Sequence, residues 1–394
     1  MKLVWGAVNY AKMRPSTVAS RMKIQHCFGV FSVLLGTALL AGCAGGQKKE
    51  DSGAALDRMA FARPDPVVVQ GVGFAQPAAA IYDRETDTYL VSNVNGDPLE
   101  KDDNGFISRI GPDGKVVDLK WIDGSMANKT LHAPKGMAVS DTRLFVADID
   151  VVRIFHRTTG APLGVINVPK ASYLSGVSVA PNGTLYVADT GLKKPEPKKE
   201  VDSKQEADPK KTKPKTEAQL KKEEAALKKE ADRQKEAEAN KEIGGLEPSG
   251  SDAVWQISKY GALKRLAKGE DLHRPSGLAA DDQGVWVASW LSPEMYRITK
   301  WGKRNEPATA PSDQLQGMVR LPDGATLLSS FKKSAVYIGH PGGSFNLVLD
   351  RVPGVGGLGY DTKRRRVLIP LQGGTVKIQE LSGFEETSNS FDAE

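Results

Sequence analysis

Several chemistries are missing from this sequence of 394 residues, and each absence excludes something. Cysteine occurs only twice, as Cys27 and Cys43, so no disulfide framework or cysteine-based metal cage can be built. There are 5 histidines, one of them, His26, just before the N-terminal apolar segment, and none forms a cluster at metal-ligand spacing. No Gly-x-x-x-x-Gly-Lys-Ser/Thr phosphate loop, His-Glu-x-x-His helix or Gly-x-Ser-x-Gly elbow is present. No apolar run reaches the roughly 18 residues of a spanning helix, which excludes a polytopic helical membrane protein. Aromatics are only 7% of the chain, whereas glycine reaches 40 residues. That balance favours many turns and short strands. The net charge of +6 lacks the aromatic-interleaved basic patch of a nucleic-acid binder, so no nucleic acid is expected as partner.

The N-terminal part reads as an address. Met22-Lys23 opens a basic n-region, an apolar core runs from Cys27 to Ala41, and Gly42-Cys43 follows. Leu40-Ala41-Gly42-Cys43 resembles the lipobox of bacterial lipoproteins. The resemblance implies cleavage before Cys43, lipid attachment there, and membrane anchoring by several acyl chains. With Ala44 after the cysteine, it further implies an outer-membrane location facing the periplasm. Residues 1–21 then precede the true start, 22–42 form the signal, and 43–62 form a flexible tether.

A repeat governs the rest. Pro134-Lys135-Gly136-Met137-Ala138-Val139 followed by Leu144-Phe145-Val146-Ala147-Asp148 recurs as Leu174-Ser175-Gly176-Val177-Ser178-Val179 followed by Leu185-Tyr186-Val187-Ala188-Asp189. It recurs again around Gly277, Gly317 and Gly357, with a divergent first copy at Pro77. The period is near forty once a charged insertion is removed, and each period holds several short alternating strands. This predicts an all-β fold, a six-bladed β-propeller of four-stranded antiparallel blades over residues 63–382. The sixth copy runs out of chain, and Val67-Val68-Val69 supplies the missing strand. Residues 383–394 are expected to form a disordered tail.

The insertion, 192–249, carries 16 Lys/Arg and 14 Asp/Glu and no aromatics. Its proline-bearing first part is expected to be disordered, and 216–242 to be a solvated helix. It falls after Asp189, between the second and third strands of blade three, beside the channel mouth. It is a docking arm, spacer or lid, or else a tolerated solvated loop.

The blades resemble NHL and senescence-marker/gluconolactonase propellers, most closely over 176–189. The gluconolactonase resemblance implies a divalent metal, calcium or zinc, over the channel. Its ligands would be a Glu before the first blade's proline and an Asn and an Asp just before the inner-strand glycine. The matching positions here are Ala75 and Gln76, then Lys135, Ser175, Ser276, Gln316 and Gly356, with no carboxylate among them. No cofactor is therefore expected except under that reading, no catalytic residue is assigned, and no residue is assigned to a metal.

The candidate mouth residues are Lys135, Asp148, Ser175, Asp189, Ser276, Trp290 and Gln316. Lys135 with neutral donors suits a small polar or anionic ligand, or it snorkels to solvent or pairs with Asp148 or Asp150. Asp148 and Asp189 bind metal or substrate, or accept backbone N–H groups. Trp290 stacks on a ligand or covers a seam between blades. His132 and His273 share a register, but on blades two and four, which are not neighbours. The sequence thus leads to a lipid-anchored binding or assembly module, with a protein partner for the arm, or alternatively to a lactone or ester hydrolase.

Overall fold

A computed structural model describes residues 64–195, 245–305 and 307–382. The extension, the signal, Cys43, the tether, the tail and the expected insertion helix lie outside the described residues. The chain begins with β1 (Val67–Gln70). Blade one is β2 (Pro77–Asp83), β3 (Thr88–Asn93), β4 (Phe106–Ile110) and β5 (Val116–Asp123). Blade two is β6 (Pro134–Ser140), β7 (Arg143–Asp148), β8 (Val151–His156) and β9 (Pro162–Asn167). Blade three opens with β10 (Leu174–Val179) and β11 (Leu185–Asp189). A two-residue pair, β12 (Leu192–Lys193) and β13 (Glu247–Pro248), then closes the root of the insertion, and β14 (Ala253–Ile257) and β15 (Leu263–Lys268) complete the blade. Blade four is β16 (Pro275–Asp281), β17 (Gly284–Ser289), β18 (Glu294–Thr299) and β19 (Ala308–Thr309). Blade five is β20 (Leu315–Arg320), β21 (Thr326–Ser330), β22 (Ala335–Gly339) and β23 (Phe345–Leu349). Blade six has β24 (Gly359–Asp361), β25 (Arg366–Leu371) and β26 (Thr375–Glu380), with β1 as its outermost strand.

The expected six-bladed propeller is therefore the fold. Its ring closes as the spare strand required: β1 runs antiparallel to β26, with Val67 opposite Ile378 and Gln70 opposite Thr375. Sharing the last blade between the two ends of the propeller leaves no blade with a missing strand.

The second strand of each blade is the most buried because another blade packs on each of its faces. All five residues of β11 are buried, which is why Leu-Tyr-Val-Ala reads as a continuous apolar run instead of alternating. Odd and even positions serve different seams. Leu185 and Val187 join Phe145, Ala147 and Val152 of blade two, while Tyr186 and Ala188 join Val285, Val287 and Tyr296 of blade four. Val187, wholly buried, contributes about 2 kcal/mol of apolar burial.

The repeat glycines and their flanking hydroxyls stitch the inner ring. Ser92 Oγ donates to Lys135 O at 2.7 Å, Thr190 Oγ1 to Pro275 O at 2.9 Å, and Ser329 Oγ to Gly356 O at 2.8 Å. Ser276 Oγ donates to Leu315 O. Leu174 N donates to Ile149 O at 2.7 Å between blades two and three, and Gly357 N donates to Ala78 O at 2.8 Å and completes the circuit from blade six to blade one.

Candidate functional site: the channel mouth

Each inner strand starts at one face of the disc, here the mouth, and ends at the opposite face. In blades two to five this strand carries the same β-bulge. Lys135 and Gly136 together oppose one residue of β7, between the pairs Pro134–Asp148 and Met137–Val146. The same interruption lies between Leu174 and Val177, Pro275 and Leu278, and Leu315 and Met318. A bulge re-aims the side chain it contains. Here it turns the residue before each glycine toward the channel axis, and Lys135, Ser175, Ser276 and Gln316 all line one cavity of about 240 Å³. Trp290 lines it as well, together with Gln76, one of the positions matched to the family's glutamate, and with Tyr173, Thr190 and Gln372, which the sequence had not marked. Those last three flank strand ends and carry no repeat signature, so periodicity was blind to them.

Lys135 is the unusual group. It is buried, with 6% of its surface exposed. Its Nζ donates to Pro98 O at 2.9 Å and to Ala133 O at 3.1 Å, and lies 4.4 Å from the centre of the Tyr173 ring. It neither snorkels nor pairs with the two aspartates considered from sequence. Asp148 is engaged by Arg153 at 2.8 Å and Asp150 by Lys101 at 2.7 Å. Burial therefore pushes the ammonium down to about 8, against the weaker pull of Asp148 and Asp97. The sign for stability follows. Between about pH 8 and 10.5 the unfolded chain holds this proton and the folded chain does not, so stability rises with pH across that window. The melting temperature of the wild-type chain is expected to climb relative to Lys135→Met from pH 8 to pH 10. A parallel course of the two would show that Lys135 is not desolvated.

The other polar groups are more fully satisfied. Ser175 Oγ lies 2.6 Å from Thr190 Oγ1, whose own proton goes to Pro275 O, and the Ser276 hydroxyl is held by backbone carbonyls. Trp290 is 2% exposed and tilts against Phe331 with ring centres 5.6 Å apart, so it fills the seam between blades four and five. Its Nε1–H, however, has no partner among the described residues. A buried donor left unpaired on a cavity wall can take an acceptor supplied by a ligand.

Asp148 and Asp189 do not line the cavity. Asp148 accepts the backbone N–H of His132 at 3.1 Å and of Ala133 at 2.8 Å. Asp189 accepts those of Tyr173 at 3.0 Å and Gly191 at 3.1 Å, and burial raises its pKa. Each carboxylate latches the loop that leads into the inner strand of its own blade. The bonded partners lie mostly before the strand, with Gly191 the one in the following turn. His132 Nδ1 accepts Asp103 N at 3.1 Å, and His273 Nδ1 lies 3.1 Å from Glu294 Oε2, so the two histidines serve separate contacts.

A divalent cation does not fit these residues. The wall of the cavity offers an ammonium, hydroxyls and amides but no carboxylate or imidazole. Among the described residues no three His, Cys, Asp or Glu side chains gather into a metal-binding group. Hard cations need several oxygen ligands, carboxylates among them, and a buried ammonium repels them.

The root of the insertion overhangs this mouth. Leu192 lines the cavity, and Lys194 reaches across to blade one, pairing with Asp97 at 3.1 Å and Glu100 at 2.6 Å. All three side chains are about half exposed, so the clamp is weak and salt-sensitive.

No protein-family model and no curated protein matches the chain. Solved structures do. The fold is similar to that of a gluconolactonase from Xanthomonas campestris, at 17% identity over 83% of this chain and 92% of that one, with a TM-score of 0.54. It is also similar to a luciferin-regenerating enzyme, at 12% identity over 80% of this chain and 96% of that one, with a TM-score of 0.51. The neighbours are gluconolactonase-like six-bladed propellers, and at these identities the likeness shows the fold alone.

Proposed function

We propose that this chain is a binding module which holds a small polar anion at the channel mouth, anchored through acylated Cys43 on the periplasmic side of the outer membrane. The observation that carries the reading is Lys135: a buried ammonium on a cavity wall with no carboxylate in ion-pair contact among the described residues. Burying a charge without a counter-ion is costly, and a lysine serving only the fold would be paired or replaced by an apolar residue. An anionic ligand supplies the missing charge. The free Trp290 N–H and the Gln316 side chain offer further hydrogen bonds on the same wall. The insertion 192–249, rooted at the rim, is the surface offered to a protein partner.

The test is ligand-dependent thermal stabilisation with a panel of small carboxylates and sugar acids beside their neutral counterparts. A ligand at about 100 times its Kd adds roughly 2.7 kcal/mol to folded-state stability. The expected result is a rise in melting temperature with an anion, absent with the neutral analogue and lost in Lys135→Met. Because the protonated amine is the receptor, affinity should hold below pH 8 and fall about tenfold per unit well above it. Stabilisation by calcium or zinc instead, with lactone turnover that depends on the metal, would displace this reading in favour of a gluconolactonase-like hydrolase.

A further inference from the structure

The turns after the third strands of blades three and four repeat one sequence. Ile257-Ser258-Lys259-Tyr260-Gly261 and Ile298-Thr299-Lys300-Trp301-Gly302 stand one period apart on adjacent blades. Both fold alike. Gly261 N donates to Ser258 O at 2.8 Å and Gly302 N to Thr299 O at 2.8 Å, with each glycine at positive φ. The result is two matched tips that hold an aromatic ring out in water. Tyr260 is 86% exposed and Trp301 73%. Each ring has its own lysine beside it, Lys259 Nζ at 5.1 Å and Lys300 Nζ at 4.8 Å from the ring centres. Nearby acids are already engaged: Asp281 by Arg297, and Asp282 by Asn182 N at 3.1 Å.

Topology places these tips. Inner strands run away from the mouth, second strands return to it, and third strands run away again, so both tips lie on the face opposite the cavity. The N-terminal chain arrives on this same face. Val67 pairs near the far end of β26, Gln70 pairs near its mouth end, and Gln379 Nε2 donates to Pro64 O at 3.0 Å. The chain from Cys43 to Pro64 spans at most about 70 Å. A tether from an anchor at Cys43 would thus join the propeller at this face and not at the mouth.

We propose that the face carrying Tyr260 and Trp301 docks on an anionic lipid surface, the rings seated at headgroup depth and Lys259, Lys300 and Lys303 meeting phosphates, while the cavity and the root of the insertion lie on the side away from the membrane. Tyrosine and tryptophan favour that interface because one end of each ring is apolar and the other wet, and lysines add attraction to anionic lipid. The basic turn Lys363–Arg366, also on this face, is a weaker candidate, since Lys363 and Arg364 are already paired with Asp87. The orientation rests on the acylation of Cys43 proposed above.

The experiment uses the full chain, processed and acylated by its host, reconstituted in vesicles of phosphatidylethanolamine and phosphatidylglycerol. With Cys27 removed and Cys43 acylated, a single introduced cysteine takes a nitroxide label. Tyr260→Cys and Trp301→Cys are compared with Leu291→Cys on the mouth face. Collision of the label with a water-soluble nickel complex should be severalfold lower at 260 and 301 than at 291. The triple variant Lys259→Gln/Lys300→Gln/Lys303→Gln should lose part of that protection, as should vesicles without phosphatidylglycerol. Equal accessibility at all three positions on vesicle-bound protein overturns the docking face while leaving the anchor in place. Protein that fails to float with vesicles removes the anchor and this orientation with it. Protection of 260 and 301 by a polysaccharide in the absence of vesicles assigns the tips to a glycan and also overturns the proposal.

Discussion

Replacing Gly176 by alanine is expected to destabilise the propeller by about 3 kcal/mol or more, lowering its melting temperature by about 6 °C. A Cβ at this position would fall inside the contact distance of Ser276 O on the next blade. Gly136 stands in the same relation to Ser175 O, and Gly356 to Ala78 O. These neighbours are backbone atoms of the stitched inner ring, so they cannot rotate away as a side chain would. The blades would have to separate, and the seam carrying Tyr186, Ala188 and Leu278 would open with them. The matched control is Gly373, which lies in the turn between β25 and β26, where an added Cβ would meet nothing within 4 Å and φ is not positive. Gly373→Ala should leave stability unchanged or raise it slightly. Thermal unfolding of both variants decides the matter. A Gly176→Ala protein as stable as Gly373→Ala would mean that the inner ring yields to a methyl group.

Asp148→Ala is expected to cost about 3–5 kcal/mol, read as a shift of the urea unfolding midpoint at constant slope. The carboxylate is fully buried and holds three donors, the N–H groups of His132 and Ala133 and the guanidinium of Arg153. Removing it leaves all three unpaired in a place with little access to water. Asp148→Asn keeps one acceptor oxygen and should cost about half as much. The damage should extend to the mouth, because Ala133 O is one of the two carbonyls that hold Lys135 Nζ. Weaker anion binding by Asp148→Asn, with the pH midpoint of binding displaced from about 8, would mark Asp148 as a positioning residue. The latch on blade three works alike, since Asp189 fixes the backbone of Tyr173, whose ring lies over the same ammonium. Should calcium or zinc restore stability only when Asp148 is intact, the latch account would fail and the carboxylate would be a ligand.

The forty-residue spacing of Gly136, Gly176, Gly277, Gly317 and Gly357 was enough to determine the fold, the number of blades and the strand that closes the ring. A blade buries its faces only against copies of itself, so its pattern must recur in the sequence. The place of the insertion followed from the same count, and its root opens after β11, at the rim. Composition and spacing also excluded carboxylates from the ring before the glycines, because those positions are fixed by the repeat itself. What no local pattern disclosed was the surroundings of each side chain. Lys135 reads like any surface lysine until Pro98, Ala133 and Tyr173 close around it, and those come from loops of three different blades. Asp148 and Asp189 look like ligands in sequence and become latches only when the chain that precedes their own inner strands folds back onto them. Likewise, Tyr260 and Trp301 are ordinary aromatics in ordinary turns until the direction of β1 sets them on the face where the N-terminal chain arrives. Periodicity encodes the backbone, which every blade shares. The charge balance of a site depends on contacts between residues far apart in the chain, and only the closed ring brings those together.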